Sequence, residues 1–138
     1  MARRPKQTRT LVIDDEQGVR LTLRVWLEKT GHYRVFTASN GRKGLRIAWW
    51  RIPSVILLDI TMPGLNGIEV LKKLKKSKRT CHIPVVILTG NPTEETKEDA
   101  SYEYAEDYLT KPITFETLHK KLKAVLKLHH VQSRQWRI

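Results

Sequence analysis

Val55-Ile56-Leu57-Leu58-Asp59 is a run of four aliphatic residues that ends abruptly in a carboxylate. Three other short apolar runs also end in a polar side chain: Leu11-Val12-Ile13 before Asp14-Asp15-Glu16, Val85-Val86-Ile87-Leu88 before Thr89, and Tyr108-Leu109-Thr110 before Lys111-Pro112. Short aliphatic runs separated by helical patterns are typical of buried parallel strands. Because ligands bind outside the carboxyl ends of the strands in an open α/β sheet, the sequence predicts one rim that gathers carboxylates, a hydroxyl and an ammonium group.

The rest of the chain alternates strand and helix patterns. Strands are predicted at about 10–14, 33–37, 54–59, 84–88 and 107–110, and helices at about 17–30, 41–51, 67–77, 93–104 and 114–128. We expect Gly31 to cap the first helix, and the second helix to carry Leu45, Ala48 and Trp49 inward. Five strands alternating with five helices predict one doubly wound α/β domain with a parallel sheet. A basic lead-in at 1–9 and a basic tail at 129–138 flank the domain at 10–128.

Length and composition indicate a soluble protein. The 138 residues fit one domain, and the single Cys81 cannot form an internal disulfide, which fits a reducing cytoplasm. No apolar stretch approaches the roughly 20 residues that span a membrane, and no signal-type apolar segment follows the basic N-terminus. We therefore expect a cytoplasmic protein without membrane contact. The net charge of +12 is unusual, and it favours non-specific binding to anions.

The predicted rim has the groups that phosphoryl transfer requires. Asp14, Asp15 and Asp59 cannot sit together comfortably unless a cation neutralises them, and hard oxygen ligands select Mg²⁺ or Mn²⁺. Lys111 adds a fixed positive charge and Thr89 a hydrogen-bond donor. Each residue alone has a simpler interpretation as a helix cap or turn former. The agreement of four strand ends favours a metal-assisted site in which Asp59 is a nucleophile.

These motifs resemble the receiver domain of two-component response regulators, of the chemotaxis-regulator type. The resemblance covers roughly 10–128 in the family's order and spacing. It rests on Asp14-Asp15-Glu16, on the segment from Asp59 to Gly67, on Thr89-Gly90 and on the segment from Asp107 to Pro112. It implies a flavodoxin-like fold and a signalling phosphoacceptor rather than a conventional enzyme, one that catalyses only its own phosphoryl transfer and slow autodephosphorylation.

The resemblance implies a role for each matching residue. Asp59 matches the phosphoacceptor, which takes a phosphoryl group from a histidine of a sensor kinase or phosphotransfer protein. Asp14 and Asp15 match the acidic pair that binds Mg²⁺, Asp15 directly, and Asp59 and the backbone carbonyl of Thr61 complete the protein ligands. Lys111 matches the lysine that pairs with the phosphoryl oxygens.

The resemblance also implies a switch. Thr89 and Tyr108 match a hydroxyl that is drawn toward the phosphoryl group and an aromatic ring that then swings inward. Thr61 and Asn91 occupy positions that tune the lifetime of the acyl phosphate, and the bond from Lys111 to Pro112 is expected to be cis.

The switched surface in this family commonly comprises the helix predicted here at 93–104, strand five and the last helix. The first of these is acidic, whereas the last carries Lys120, Lys121, Lys123 and Lys127. Opposite charges would suit a homodimer through this surface, and plain solvated charge is the alternative. The lysine-rich helix at 67–77 is interpreted as a solvated face, so a nucleic-acid partner is not favoured for this domain alone. Trp50 either marks a partner site or packs half-buried.

The sequence departs from the family pattern at two positions. Tyr104 stands where many receivers have glycine, and Gly44 where alanine is usual.

Two other functions compete with this interpretation. A haloacid-dehalogenase-type phosphatase would need a second acid at the position of Thr61 and its nucleophile on the first strand. A basic nucleic-acid-binding module is the other alternative. Whether the chain is a stand-alone receiver or part of a longer regulator stays open.

Overall fold

The computed structural model of the chain describes residues 6–62, 64, 66–90 and 104–135, with the backbone alone for 128–135. Its five strands are β1 (Thr8–Ile13), β2 (Tyr33–Ala38), β3 (Val55–Asp59), β4 (Val85–Thr89) and β5 (Asp107–Thr110). They form one sheet in the order β2-β1-β3-β4-β5, and every neighbouring pair is parallel. The predicted five-stranded parallel sheet is confirmed.

The described residues hold four helices: α1 (Gln17–Lys29), α2 (Gly41–Arg51), α3 (Gly67–Lys76) and α4 (Phe115–Gln135). The helix predicted at 93–104 lies outside the described residues, apart from Tyr104, which is exposed. Helix α4 continues beyond its predicted end at 128, because neither glycine nor proline interrupts the segment before Gln135. No helix within the described ranges is both long enough and apolar enough to cross a membrane.

The strands alternate their side chains between two buried layers. Leu11 and Ile13 belong to a cluster with α2 and α3, whereas Val12 belongs to a second cluster with α1 and α4. Strands β3 and β4 are buried along their whole length, as expected for a parallel sheet that is covered on both faces. The helices therefore flank the sheet on two sides, which is the doubly wound arrangement.

Helix α2 packs on the sheet through small residues, and the prediction that Trp49 points inward is wrong. Its buried residues are Gly41, Gly44 and Ala48, and the side chain of Trp49 is 45% exposed. A Cβ atom at Gly44 would lie 2.7 Å from Cγ1 of Ile13. The helix therefore approaches β1 too closely for a large ring to fit between them.

The loops after the strands start helices with side-chain caps. Asn40 accepts a hydrogen bond from the backbone of Lys43 at the start of α2, and Asn66 accepts one from Glu69 at the start of α3. Gly31 adopts a φ of 79° just after α1, as expected for a helix-ending glycine. Because neighbouring strands are all parallel, the carboxyl ends of β1, β3, β4 and β5 lie at one rim of the sheet.

Candidate functional site

The first acids of the rim follow β1. Asp14 is fully buried, while Asp15 and Glu16 are exposed. The Oδ1 atom of Asp14 accepts a hydrogen bond of 2.9 Å from the backbone N–H of Glu16. The guanidinium of Arg20 donates to the backbone carbonyl of Asp14 at 2.8 Å. This turn fixes the buried carboxylate at the end of the strand.

Asp59 is the last residue of β3 and its side chain is 1% exposed. Its Oδ1 atom accepts two hydrogen bonds of 2.9 Å, one from the backbone N–H of Thr61 and one from the Thr61 hydroxyl. The first residue of α3, Gly67, lies so close that a Cβ atom there would overlap the backbone of Asp59 and Ile60. Glycine at position 67 therefore lets α3 begin directly beside the Asp59 carboxylate.

Lys111 follows β5 and reaches across the rim. Its Nζ atom lies 2.9 Å from Oδ2 of Asp14, 3.2 Å from Oε1 of Glu16 and 3.4 Å from Oδ2 of Asp59. The contact with Asp14 is a buried ion pair, and Lys111 is the only partner of Oδ2 of Asp14 among the described residues. The backbone N–H of Lys111 donates to the carbonyl of Thr89 at 2.7 Å. The Lys111–Pro112 bond is cis, as expected.

Burial and charge shift the pKa of two of these groups. Burial raises the pKa of the Asp14 carboxyl above its usual value, and the hydrogen bond from Glu16 and the nearby Lys111 only partly offset the effect. Burial alone would lower the pKa of Lys111. The contacts with Asp14 and Asp59 outweigh burial, and the pKa of the Lys111 ammonium is raised. Lys111 is therefore a permanent cation at neutral pH.

The donor set of the rim fits a hard cation. Carboxylate oxygens of Asp14, Asp15, Glu16 and Asp59 lie within 4.8 Å of one another. Lys111 is the only cation that forms an ion pair with this group among the described residues. The buried Oδ2 of Asp14 contacts Lys111 alone, so it has a lone pair left to accept a hydrogen bond from a metal-bound water.

The other predicted site residues lie close by. Thr89, the last residue of β4, is buried and pairs with Thr110 in the sheet. Tyr108 lies half-buried in the edge strand β5, opposite Ile87, and Nζ of Lys121 is 4.9 Å from its ring centroid. Asn91 lies outside the described residues. The structure thus brings Asp14, Asp15, Asp59, Thr61 and Lys111 to one rim and places Thr89 at the neighbouring strand end.

Glu16, Arg20 and Gly67 were not predicted as site residues. Glu16 follows two acids in the sequence, and that run was the available signal for its contact with Lys111. The hydrogen bond from Arg20 to the Asp14 carbonyl joins residues that are six positions apart, and no sequence pattern predicts it. The close approach at Gly67 depends on where α3 begins relative to β3, which a single sequence does not specify.

A doubly wound sheet of this order, with paired acids, a strand-terminal aspartate and a lysine at one rim, defines a flavodoxin-like signalling domain. The family described as the response regulator receiver domain matches residues 10–123. The chain belongs to this family of two-component receiver domains, which are signalling domains rather than conventional enzymes.

Relatives of similar length support the assignment. The chain is 43% identical over 118 residues to protein PilH of Pseudomonas aeruginosa, covering 86% of this chain and 97% of PilH. The solved chemotaxis protein CheY4 of Vibrio cholerae is 31% identical with a TM-score of 0.81, over 86% of this chain and 98% of CheY4.

The response regulator TrrA of Thermotoga maritima was solved in complex with Mg(2+)-BeF. It is 32% identical with a TM-score of 0.77, over 86% of this chain and 99% of TrrA. The chain spans only about half the length of several transcriptional regulatory proteins that it also matches. The likeness to those longer proteins therefore concerns the receiver domain.

Proposed function

We propose that this receiver is switched by phosphorylation of Asp59, with a histidine of a sensor kinase or phosphotransfer protein as the donor. The observation that carries the proposal is the asymmetric environment of the Asp59 carboxylate. Oδ1 is held by two hydrogen bonds from Thr61, whereas Oδ2 faces the ammonium of Lys111 at 3.4 Å. One oxygen orients the group and the other is positioned to attack.

The transfer needs little covalent chemistry from the protein. Oδ2 of Asp59 forms a bond to phosphorus, the phosphorus–nitrogen bond breaks, and its electron pair returns to the imidazole nitrogen of the donor. Lys111 then pairs with the phosphoryl oxygens in place of the carboxylates that it contacts before transfer. Its raised pKa keeps this charge in place throughout.

Mg²⁺ or Mn²⁺ would be held by Asp15, Asp59 and the backbone carbonyl of Thr61, with Asp14 beside it. An ion bound there would neutralise charge on the phosphoryl group during transfer. The close set of carboxylates supports this assignment, and so does the solved TrrA complex with Mg(2+)-BeF.

We infer that Thr89 and Tyr108 transmit phosphorylation of Asp59 to the protein surface. Thr89 ends β4, which lies between β3 and β5, so its hydroxyl would be available to a phosphoryl group on Asp59, and Tyr108 lies on the neighbouring strand β5. We infer that the partner surface includes β5 and α4, and that the protein works in the cytoplasm. A homodimer through this surface remains a prediction from the charges of α4 and residues 93–104.

A phosphatase of the haloacid-dehalogenase type is less well supported. Asp59 ends the third strand rather than the first, and Thr61 offers a hydroxyl where such an enzyme has an acid. The family assignment agrees with this reasoning.

Incubation with acetyl phosphate and Mg²⁺, followed by intact mass spectrometry, tests the proposal. We expect one phosphoryl adduct that is absent in Asp59→Asn and after addition of EDTA. Asp107→Asn is the matched control. Asp107 begins β5, whereas Lys111 and the rim lie at the other end of that strand, and the Asp107 carboxylate pairs with Lys121. It should keep the adduct. A full adduct in Asp59→Asn, or none in the wild type with any small donor, would overturn the proposed function.

A further inference from the structure

Nearly all of the net charge of the chain lies in one part of it. Residues 29–93 carry twelve lysines and arginines against only Asp59 and Glu69, which gives +10 of the total +12. Between Glu28 and Asp59 there is no acidic residue at all. This interval contains β2 and α2, so the basic character is built into one edge of the fold.

Helix α2 exposes aromatic and basic side chains together. Trp49 is 45% exposed and Trp50 68%, and their ring centroids lie 5.1 Å apart at 84°. The guanidinium of Arg79 lies 4.5 Å from the Trp49 ring centroid. Among the described residues, no acid forms an ion pair with a basic residue of α2. The indoles therefore lie beside cations whose charge is not neutralised by any acid among the described residues.

The same pattern continues onto the edge strand. The guanidiniums of Arg34 and Arg51 lie 5.2 and 5.4 Å from the ring centroid of Phe36 in β2. Guanidiniums thus lie against aromatic rings at both ends of this surface, at Phe36 in β2 and at Trp49 in α2. We name this surface the α2 face, and it comprises Arg34, Phe36, Arg42, Lys43, Arg46, Trp49, Trp50, Arg51 and Arg79.

Two adjoining depressions mark the α2 face. One of about 380 Å³ is lined by Arg46, Ile47, Trp50 and Arg51. The next, of about 360 Å³, shares Arg46 and Ile47 and adds basic and hydroxyl side chains, among them Lys43. Each depression combines an apolar floor with at least two cations, and the two follow one another along the helix.

We propose that the α2 face binds single-stranded nucleic acid, with a base stacked on Trp50 and phosphates held by Arg46 and Arg51. Guanidiniums bind phosphate through paired hydrogen bonds, and exposed indoles offer their faces to bases. A duplex would keep its bases stacked and hide them from Trp50. A second copy of this chain meeting through the same face is disfavoured, because it would place the basic residues of the two faces against each other.

The probe is a fluorescein-labelled deoxythymidine strand of about 15 nucleotides, within the span that one small domain covers. Fluorescence anisotropy of the wild type should show binding at low salt that weakens as salt rises. Trp50→Ala should weaken binding at least about fivefold, since stacking on one aromatic ring contributes this much or more. Trp50→Leu keeps an apolar side chain without an aromatic face, and it should weaken binding similarly.

A charge-matched pair separates the α2 face from general attraction. Arg46→Gln/Arg51→Gln should lower the slope of log affinity against log salt by about 1.4, as expected for two lost phosphate contacts on a single strand. Lys72→Gln/Lys73→Gln removes the same charge from exposed residues of α3 and should have a clearly smaller effect. An equal loss in both double variants would mean non-specific attraction and would overturn the proposal.

Other outcomes also contradict the proposed site. They are no binding of the strand at low salt, unchanged binding in both Trp50 variants, tighter binding to the duplex, or Trp50-dependent binding to anionic vesicles without binding to the strand. None of the substituted residues touches the rim, so each variant should still form the acetyl phosphate adduct, which shows that it is folded. Asp59→Asn should bind the strand like the wild type, so failure of phosphorylation and failure of strand binding are distinguishable.

Discussion

Asp14 combines complete burial with a carboxylate whose Oδ2 atom is paired with Lys111 alone. Its pKa is raised by burial, so the folded state holds the proton more tightly than the unfolded chain. Stability therefore falls as pH rises from the unfolded pKa through the raised folded value. Asp14→Asn removes this ionisation, and at pH 7 it should be more stable than the wild type by about 1 kcal/mol. Urea unfolding between about pH 3.5 and 7 measures the difference, which should shrink toward the acidic end.

Asp107 provides the control for this charge substitution. Its carboxylate pairs with Lys121 at 2.9 Å, and both side chains are about one-third exposed. Asp107→Asn should change the free energy of unfolding by less than about 1 kcal/mol, because exposed ion pairs contribute little. A loss of stability in Asp14→Asn at pH 7, or a difference that does not depend on pH, would contradict the assignment of an unfavourable buried charge.

Helix α3 depends on glycine where it meets β3. A Cβ atom at Gly67 would overlap backbone atoms of Asp59 and Ile60, and backbone cannot rotate away. Gly67→Ala should destabilise the fold by about 1–3 kcal/mol and slow adduct formation, because the shift falls on the phosphoacceptor strand. Chemical unfolding and the acetyl phosphate assay measure the two effects. Gly18→Ala in α1 is the matched control, since nothing lies within 4 Å of its added Cβ.

The control should retain the wild-type adduct rate. Its stability should be equal or higher by up to about 1 kcal/mol, as alanine favours a helix over glycine. Equal behaviour of the two alanine variants would mean that α3 does not need its close approach to β3.

Helix α2 has a similar constraint against β1. Alanine at position 44 would favour the helix by about 1 kcal/mol, yet its Cβ would press on the side chain of Ile13. Gly44→Ala should therefore destabilise the protein by about 1–3 kcal/mol. Ile13→Val/Gly44→Ala should be less unstable than the sum of the two single variants, because the shorter side chain gives room. Strict additivity in chemical unfolding would exclude this contact as the cause.

The sequence predicts strands better than helix faces, for a physical reason. Short aliphatic runs such as residues 55–58, bounded by turn residues, favour a buried strand, and all five predicted strands are confirmed. Trp49 was misplaced because hydrophobicity favours an indole in the core, whereas the close packing of α2 selects Gly41, Gly44 and Ala48. The sequence feature that marks the buried face of α2 is the spacing of its small residues, not that of its large apolar ones.

Strand ends depend on partners that are distant in sequence. Strand β1 begins at Thr8, before its predicted start, because the backbone of Thr8 bonds to His32 beside β2. The rim was predictable since its residues directly follow apolar runs. The double hydrogen bond from Thr61 to Asp59 and the contact of Glu16 with Lys111 depend on loop geometry, which the residue types alone do not specify.

The chain as a whole is strongly basic, whereas the rim is acidic. The net charge of +12 lowers stability through self-repulsion, so added NaCl should raise the melting temperature modestly. At the rim the repulsion is between negative charges, because four carboxylates lie close together and Lys111 pairs with three of them. Screening by salt and specific cation binding therefore act on different parts of the fold.

Mg²⁺ should stabilise the protein beyond its contribution to ionic strength. The unfolded chain does not hold the four carboxylates together, so binding to the folded rim alone raises stability by mass action. At about ten times the dissociation constant the gain is about 1.4 kcal/mol, or several degrees in Tm. Calorimetry in MgCl₂ and in NaCl of equal ionic strength measures it. The extra rise should disappear in Asp15→Asn and persist in Asp107→Asn, because only the first of these acids belongs to the rim. An equal rise in both salts would mean that Mg²⁺ merely screens the net charge.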